Sequence, residues 1–363
     1  MSAKINIEKL QLLQNEAKQL LKELIATPSF SKEEASTASI IEAYLTKQGV
    51  KANRIQNNIW ATNLHFDESK PSILLNSHHD TVKPNKAYTL DPFSALEQEG
   101  KLFGLGSNDA GGCLVSLIAC FIYYYSSEQL PFNLVLLASA EEEISGLNGV
   151  ELALKHIPAI SFGIVGEPTL LEMAIAERGL MVLDVEAIGK AGHAAREEGE
   201  NALYKLLNDI EWFRNYQFEK ISPLLGAVKM SVTVIETENK THNIVPSSCK
   251  MVVDVRVNEL YSFEEILETI ASNVQSSVKP RSLRLKSSRI TLEHIAVKAG
   301  LALGKGYYGS LTTSDKALMP FPALKMGPGD SARSHTADEF IFIKEIEEGV
   351  LTYIQLLSTI FTS

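Results

Sequence analysis

Three short apolar runs punctuate the first half of the chain: Ile73-Leu74-Leu75, Leu134-Val135-Leu136-Leu137 and Phe162-Gly163-Ile164-Val165. None alternates with polar positions, so each predicts a strand buried on both faces, as in a parallel sheet covered by helices. Residues 8 to 26 and 33 to 48 carry apolar positions at helical spacing instead, and Ser31 with Glu34 three positions on resembles a capping box. A further apolar helix is expected over residues 113 to 122. Strands alternating with helices through about residue 168 predict an α/β sandwich.

The pattern changes near Gly179. Residues 180 to 188 read as a strand, 201 to 216 as a helix, 228 to 236 and 250 to 257 as strands, and 263 to 277 as a helix, together a compact α+β unit. The polar, basic residues 280 to 288 read as a return linker, after which the first pattern resumes. The expected organisation is an α/β domain in two parts, 1–177 and 289–363, interrupted by a smaller domain at 178–288. A length of 363 residues also suits two cores better than one.

Each buried run ends in a polar cluster: Ser77-His78-His79-Asp80, Glu141-Glu142-Glu143 and Gly166-Glu167-Pro168-Thr169. Open α/β sheets bind ligands at the carboxyl ends of their strands, so these clusters can converge on one pocket. His78, Asp109, Glu143, Glu167 and His335 together read as the ligands of a paired metal site. In an extended backbone His78 and Asp80 face one side while His79 points away. A metal-bound histidine usually donates its other ring N–H to a carboxylate, a role that Asp80 fits. Three adjacent glutamates repel unless cations or protons compensate. One can bind metal while its neighbour serves as general base toward a water and then as proton donor to a leaving amine.

Asp109 sits in the glycine-rich stretch Phe103-Gly104-Leu105-Gly106-Ser107-Asn108-Asp109-Ala110-Gly111-Gly112, which leads into the apolar helix. A helix cap and a phosphate loop are the other readings of this segment. There is no lysine of the P-loop type, and an acid would stand where the anion binds, so a bridging carboxylate explains the residue better.

Composition removes several classes. A net charge of −10 disfavours nucleic acid and anionic membrane surfaces as partners. No apolar run approaches the roughly 20 residues that span a bilayer. The N-terminus lacks a secretory core, so cytoplasmic residence is expected. Cys113, Cys120 and Cys249 show no CxxC spacing and are expected to pack rather than pair or bind zinc.

Nine segments, in order along the chain, resemble the metallohydrolase family of acetylornithine deacetylases, succinyl-diaminopimelate desuccinylases, aminoacylases and glutamate-releasing carboxypeptidases. They are Ser77-His78-His79-Asp80-Thr81-Val82, Asp91-Pro92-Phe93, Gly104 to Asp109, Ala138 to Glu143, Gly166 to Thr169, Gly192-His193-Ala194, Asn243-Ile244-Val245-Pro246, Thr313-Ser314-Asp315 and Gly327-Pro328-Gly329 through Ser334-His335. The resemblance implies a zinc-peptidase-like α/β/α catalytic domain carrying a dimerisation (lid) domain, and hence a homodimer. It implies two Zn²⁺ per subunit, with Co²⁺ as a substitute: Asp109 bridging, His78 and Glu167 on one ion, Glu143 and His335 on the other, and Glu142 as general base. His193 matches a lid histidine that stabilises the oxyanion in a partner's site. Arg178, Asn243, Arg256 and Thr313 match substrate-contacting positions, the arginines suited to a carboxylate. Two departures stand out: the lysine usual two residues after the bridging aspartate is absent here, and Ser77 replaces a glycine.

Among the branches, the pattern looks most like the acetylornithine deacetylase group. The expected activity is removal of an acetyl or succinyl group from an N-acylated amino acid, N-acetylornithine or an N-acyl-citrulline of arginine biosynthesis. A succinyl substrate would need a further cation, with Lys190, Arg196, Lys316 and Arg333 as candidates. A dipeptidase, carboxypeptidase or succinyl-diaminopimelate desuccinylase of the same family keeps every ligand. A non-catalytic metal-binding protein would not need Glu142.

Overall fold

The computed structural model describes residues 5–196 and 198–362. The chain forms two compact units, one of Met1–Ile175, Ile290–Tyr308 and Ser314–Ser363, the other of Ala176–Arg289 and Gly309–Thr313. The sequence pattern predicts the insertion at 178–288 and leaves 309–313 in the last catalytic segment. The structure assigns that strap to the inserted unit, because the Arg178 N–H donates to the Ser310 carbonyl at 3.2 Å and the Thr313 hydroxyl to the Arg178 carbonyl at 3.0 Å.

In the first unit the sheet runs in the order Asn53–Ile55, Asn58–Thr62, Asn133–Ser139, Ser72–His78, Phe162–Val165, Ala323–Lys325, Met173–Glu177. Ser72–His78 is parallel to both neighbours, and Ala323–Lys325 extends the parallel set. Every residue of Ser72–His78, Asn133–Ser139 and Phe162–Val165 is buried, which is why these strands read as unbroken apolar runs. Leu74 packs with Val135, Leu137 and Val150 on one face. Side chains alternate, so Ile73 and Leu75 point to the other face, where helix Gly112–Tyr124 lies. Helices Ile7–Ile25 and Ile343–Thr362 pack on that helix in turn. The result is an α/β/α layering, and each fully buried leucine or isoleucine in it contributes roughly 1.5–3 kcal/mol.

Helix Ile7–Ile25 begins at Asn6, whose side chain accepts the Lys9 N–H at 3.0 Å. Helix Ala35–Lys47 does not begin with the capping box that Ser31 and Glu34 suggest. Its N-cap is Glu34, with no side-chain cap bond, and the Ser31 hydroxyl instead donates to the Asp80 carboxylate at 2.7 Å. Glu34 is fully buried and accepts from the Lys32 N–H, the Asn57 amide and the Glu141 N–H. A tertiary acceptor for Ser31 and tertiary donors for Glu34 displace the local motif.

The second unit is a four-stranded antiparallel sheet in the order Lys229–Thr237, Ser248–Val257, Gly179–Ile188, Ser277–Pro280. Alternate residues of Gly179–Ile188, including Met181, Leu183 and Val185, share a core with Leu206 and Phe213 of helix Ala202–Asn215 and Ile266 and Ile270 of helix Phe263–Asn273. The last helix carries a full capping box, Ser262 with Glu265, and stops at Asn273, short of the expected 277. Residues 277–280 form an unforeseen edge strand, a position that tolerates Pro280 because one side of the strand has no ladder to feed. Among the described residues no helix is long and apolar enough to cross a membrane. The three cysteines are buried and free.

Candidate metal centre

Parallel pairing sets the ends of three strands at one level: His78 lies opposite Ser139, and Asn76 opposite Val165. The residues that follow each strand therefore enter the same space. Glu142 and Glu143 follow Asn133–Ser139, and Glu167 follows Phe162–Val165 by two residues. Asp109 arrives from the turn before helix Gly112–Tyr124, and His335 from the loop after the 3₁₀ turn Ser331–Arg333.

Two groups of possible ligand atoms result, His78 with Asp109 and Glu167, and Asp109 with Glu143 and His335; within each group the atoms lie within 4.8 Å of one another. Asp109 belongs to both. His78 Nε2 is 3.3 Å from Asp109 Oδ1 and 3.9 Å from Glu167 Oε1. His335 Nε2 is 3.0 Å from Glu143 Oε2 and 3.7 Å from Asp109 Oδ2. These are the groupings that the resemblance assigns to two ions. Imidazole nitrogens with carboxylate oxygens suit a zinc-class divalent ion, and Asp109, Glu142, Glu143 and Glu167 against two imidazoles leave a surplus of negative charge for cations to balance.

The electrostatics carry the same demand. Burial opposes charging His78, yet Glu142, Asp109, Asp80 and Glu167 outweigh it and hold its pKa well above the usual histidine range. The His335 pKa is pushed up to about 9, chiefly by its hydrogen bond to Glu143. The protons drawn onto these rings are the ones a divalent cation displaces. Glu142 belongs to neither group, though its Oε2 is 4.0 Å from His78 Nε2. Burial first, then repulsion from Glu167, Asp315 and Glu143, raises its pKa well above the ordinary carboxylate value despite His78. A carboxyl so placed is fitted to take up and release a proton.

The run Glu141-Glu142-Glu143 separates by direction. Glu141, at φ +55°, turns its carboxylate to the Asn148 N–H and side chain, leaving its two neighbours to the site. Asp80 is buried and ties the centre together: its carboxylate accepts the Glu142 N–H at 3.0 Å, the Glu143 N–H at 3.2 Å and the Ser31 hydroxyl. Its carboxylate is 3.5 Å from His78 Nδ1, whereas its backbone carbonyl is nearer, at 2.9 Å. Burial raises the Asp80 pKa, but His78 and Ser31 reverse the shift and keep it below the usual aspartate value. His79 points away, between the Thr37 hydroxyl and the Asn57 carbonyl.

The remaining expected residues lie in the inserted unit. His193 and Asn243 are brought together by the two-residue ladder of Gly192–His193 with Ile244–Val245, and the Ala194 N–H donates to the Asn243 carbonyl. Arg178 donates to the Leu225 carbonyl, and Thr313 to the Arg178 carbonyl. Burial and then the charge of Arg256 lower the Arg178 pKa, so two guanidiniums are neighbours. Arg256 forms a forked pair with Asp254, at 2.8 and 3.0 Å.

Two contributors escape a sequence reading. Ser31 is separated from Asp80 by 49 positions, and its local pattern points elsewhere. Asp315 lies within the family-like Thr313-Ser314-Asp315, yet only its threonine matches a substrate position. It is buried, accepts the Ser139 hydroxyl at 2.6 Å and has its pKa pushed to about 6 by burial. Both departures from the family pattern also find an account. A Cβ at Gly111, where the lysine is usual, would stand 2.4 Å from the Gly106 carbonyl and 2.6 Å from Leu21 of the first helix. The Ser77 hydroxyl donates to the Gly166 carbonyl at 2.8 Å, beside Glu167.

Fold and site define a metal-dependent hydrolase with an inserted second unit. A family model, Peptidase family M20/M25/M40, matches residues 74–359, and the chain belongs to that family. Its relatives include a succinyl-diaminopimelate desuccinylase of Rickettsia bellii, 28% identical over 76% of this chain and 73% of that one. Another, from Wolbachia pipientis, is 24% identical over 94% and 93%. In fold the chain is similar to an M20 family metallo-carboxypeptidase from Sulfolobus solfataricus (TM-score 0.75, 17% identity, covering 96% of this chain and 100% of that one). It is also similar to a dinuclear metal-binding peptidase of the family from Bacillus subtilis (TM-score 0.73, 14% identity, covering 97% and 99%).

Proposed function

We propose that this chain hydrolyses the amide of an N-succinylated amino acid at a dinuclear zinc centre, with Glu142 as general base. The observation that carries the reading is the position of Glu142, a partly buried carboxyl poised for a proton beside the ligand groups yet in neither. Two divalent ions held by His78, Asp109, Glu143, Glu167 and His335 would acidify a water and polarise the scissile carbonyl. Glu142 then takes the proton of the attacking water and delivers it to the departing amine nitrogen. Asp80 orients His78 and, through two backbone N–H groups, the glutamate pair.

The succinyl reading is supported by relatives named as succinyl-diaminopimelate desuccinylases that align over as much as 94% of the chain. Acetyl removal from N-acetylornithine or an N-acyl-citrulline, which the sequence pattern favours, stands second. We assign Arg178 and Arg256 to a substrate carboxylate, Asn243 and Thr313 to substrate contacts, and His193 to the oxyanion. Of the four cations considered for a succinyl carboxylate, two are spoken for. Lys316 is buried with Nζ on the Ala174 carbonyl, and Arg333 grips Glu345 through both terminal guanidinium nitrogens. Lys190 and Arg196 are exposed on the inserted unit.

The same unit is our choice for a homodimer contact. Strand Lys229–Thr237 ends its sheet with one edge unpaired among the described residues, and exposes Val234 and Ile235. Purified protein loaded with zinc is assayed on succinyl- and acetyl-ornithine, the matching citrullines, succinyl-diaminopimelate and simple dipeptides. The expected result is highest kcat/KM on a succinyl substrate. Higher values on the acetyl partners would replace this reading by the second, and cleavage of dipeptides alone would remove both.

A further inference from the structure

Two residues outside both ligand groups lace the Asp109 turn to the His335 loop. Glu339 is 2% exposed, and its carboxylate accepts three backbone N–H groups: Gly106 at 3.1 Å on Oε2, and Asn108 and Asp109 at 2.8 and 2.9 Å on Oε1. Its own carbonyl accepts the Gly104 N–H at 2.9 Å. Asn108, fully buried, reaches the opposite way. Its Oδ1 accepts the Asp330 N–H at 3.0 Å, while Nδ2 donates to the Asp330 carbonyl at 3.0 Å and to Ser334 Oγ at 3.4 Å. Gly329, at φ +89°, makes the approach possible, since a Cβ there would stand 2.6 Å from Asn108 Oδ1.

A buried carboxylate is costly unless its lone pairs are met, and three N–H groups of the backbone that carries Asp109 offset part of that cost here. The other ligands are differently held. His78 ends a laddered strand and Glu167 follows one, whereas His335 sits on a loop, itself at φ +58°. We infer that Glu339 and Asn108 are positioning residues of the Asp109–Glu143–His335 ion site, fixing the bridging carboxylate and the loop histidine at ion-binding separation before an ion arrives. Outer partners of this kind sharpen metal affinity without touching the metal. The inference rests on the two-ion reading of the centre.

The test is stepwise Zn²⁺ titration of the metal-free protein against a competing chelator, with Co²⁺ absorption as a second readout of coordination. Wild type is expected to bind two ions. Asn108→Ala and Glu339→Ala should weaken the ion of the Asp109–Glu143–His335 group by about 10–100-fold, in the range found for outer-shell partners, and the ion of the His78–Asp109–Glu167 group by a smaller factor, since only Asp109 is common to both. Glu339→Gln should fall between, since its single amide oxygen keeps the Asn108 and Asp109 bonds and loses that of Gly106. This variant and Asn108→Ser carry the test if the alanine forms fail to fold. A purely structural role would lower the melting temperature and leave the ratio of the two affinities unchanged, overturning the inference. Unaltered affinities would overturn it too. Fewer than two ions on wild type would instead remove the two-ion reading, and the inference with it.

Discussion

Asp80 touches His78 twice, through its backbone carbonyl at 2.9 Å from Nδ1 and its carboxylate at 3.5 Å, while that carboxylate also receives the N–H groups of Glu142 and Glu143. One side chain thus sets the ring of a candidate ligand and the backbone of the candidate base. Asp80→Ala is expected to weaken zinc binding by about 10–100-fold and to lower kcat as well, because Glu142 loses its support. Calorimetric titration and steady-state kinetics on one preparation check both; a change in KM alone would deny the double role.

Glu142→Gln keeps size and hydrogen bonding but cannot carry the proton. Turnover should fall by about 10²–10⁴-fold while both ions remain bound. Metal analysis beside the assay separates the two effects, and a variant that loses an ion would make Glu142 a ligand instead.

His335 gives a pH signature with a definite sign. Its folded pKa of about 9 exceeds the ordinary 6.5, so in the metal-free protein its pairing with Glu143 stabilises fully below 6.5, and that contribution is lost as pH rises through about 9. Half-exposure of the ring keeps the effect small. Metal binding runs the opposite way, since the ring must be deprotonated, and affinity should climb over the same interval with proton release. Comparing melting curves of metal-free wild type and His335→Gln across pH 6 to 10, roughly the span of the two pKa values, isolates the residue. A difference that fails to shrink with rising pH would contradict it.

Gly111→Lys restores the family's usual residue but collides with Leu21 and the Gly106 carbonyl. Overpacking of this kind costs about 1–3 kcal/mol in denaturant unfolding. Leu21→Ala in the same chain should recover part of that loss, a coupling expected only between touching residues. Additive effects would show that the helix does not occupy the place.

What was legible in the sequence follows from how each residue is held. His78, Glu143 and Glu167 stand at the ends of strands whose burial writes itself as apolar runs, so their convergence could be read from strand ends alone. Ser31 could not be read, because a capping pattern is local while its partner is 49 positions distant. The strand Ser277–Pro280 hid for another reason: it pairs on one side only, alternates exposed and half-buried residues and ends in proline. The strap Gly309–Thr313 joins its unit through backbone bonds that leave no compositional mark.

The placement of the ligands along the chain also sets an order of assembly. His78, Asp109 and Glu167 all lie in the first 167 residues, whereas His335 comes 168 positions later. A chain emerging from the ribosome at about 5–20 residues per second therefore offers one three-membered donor group well before the other. During synthesis the donors of the first group are therefore all present before His335 and Glu339, and both the second group and the brace on Asp109 are completed only by the last tenth of the polypeptide.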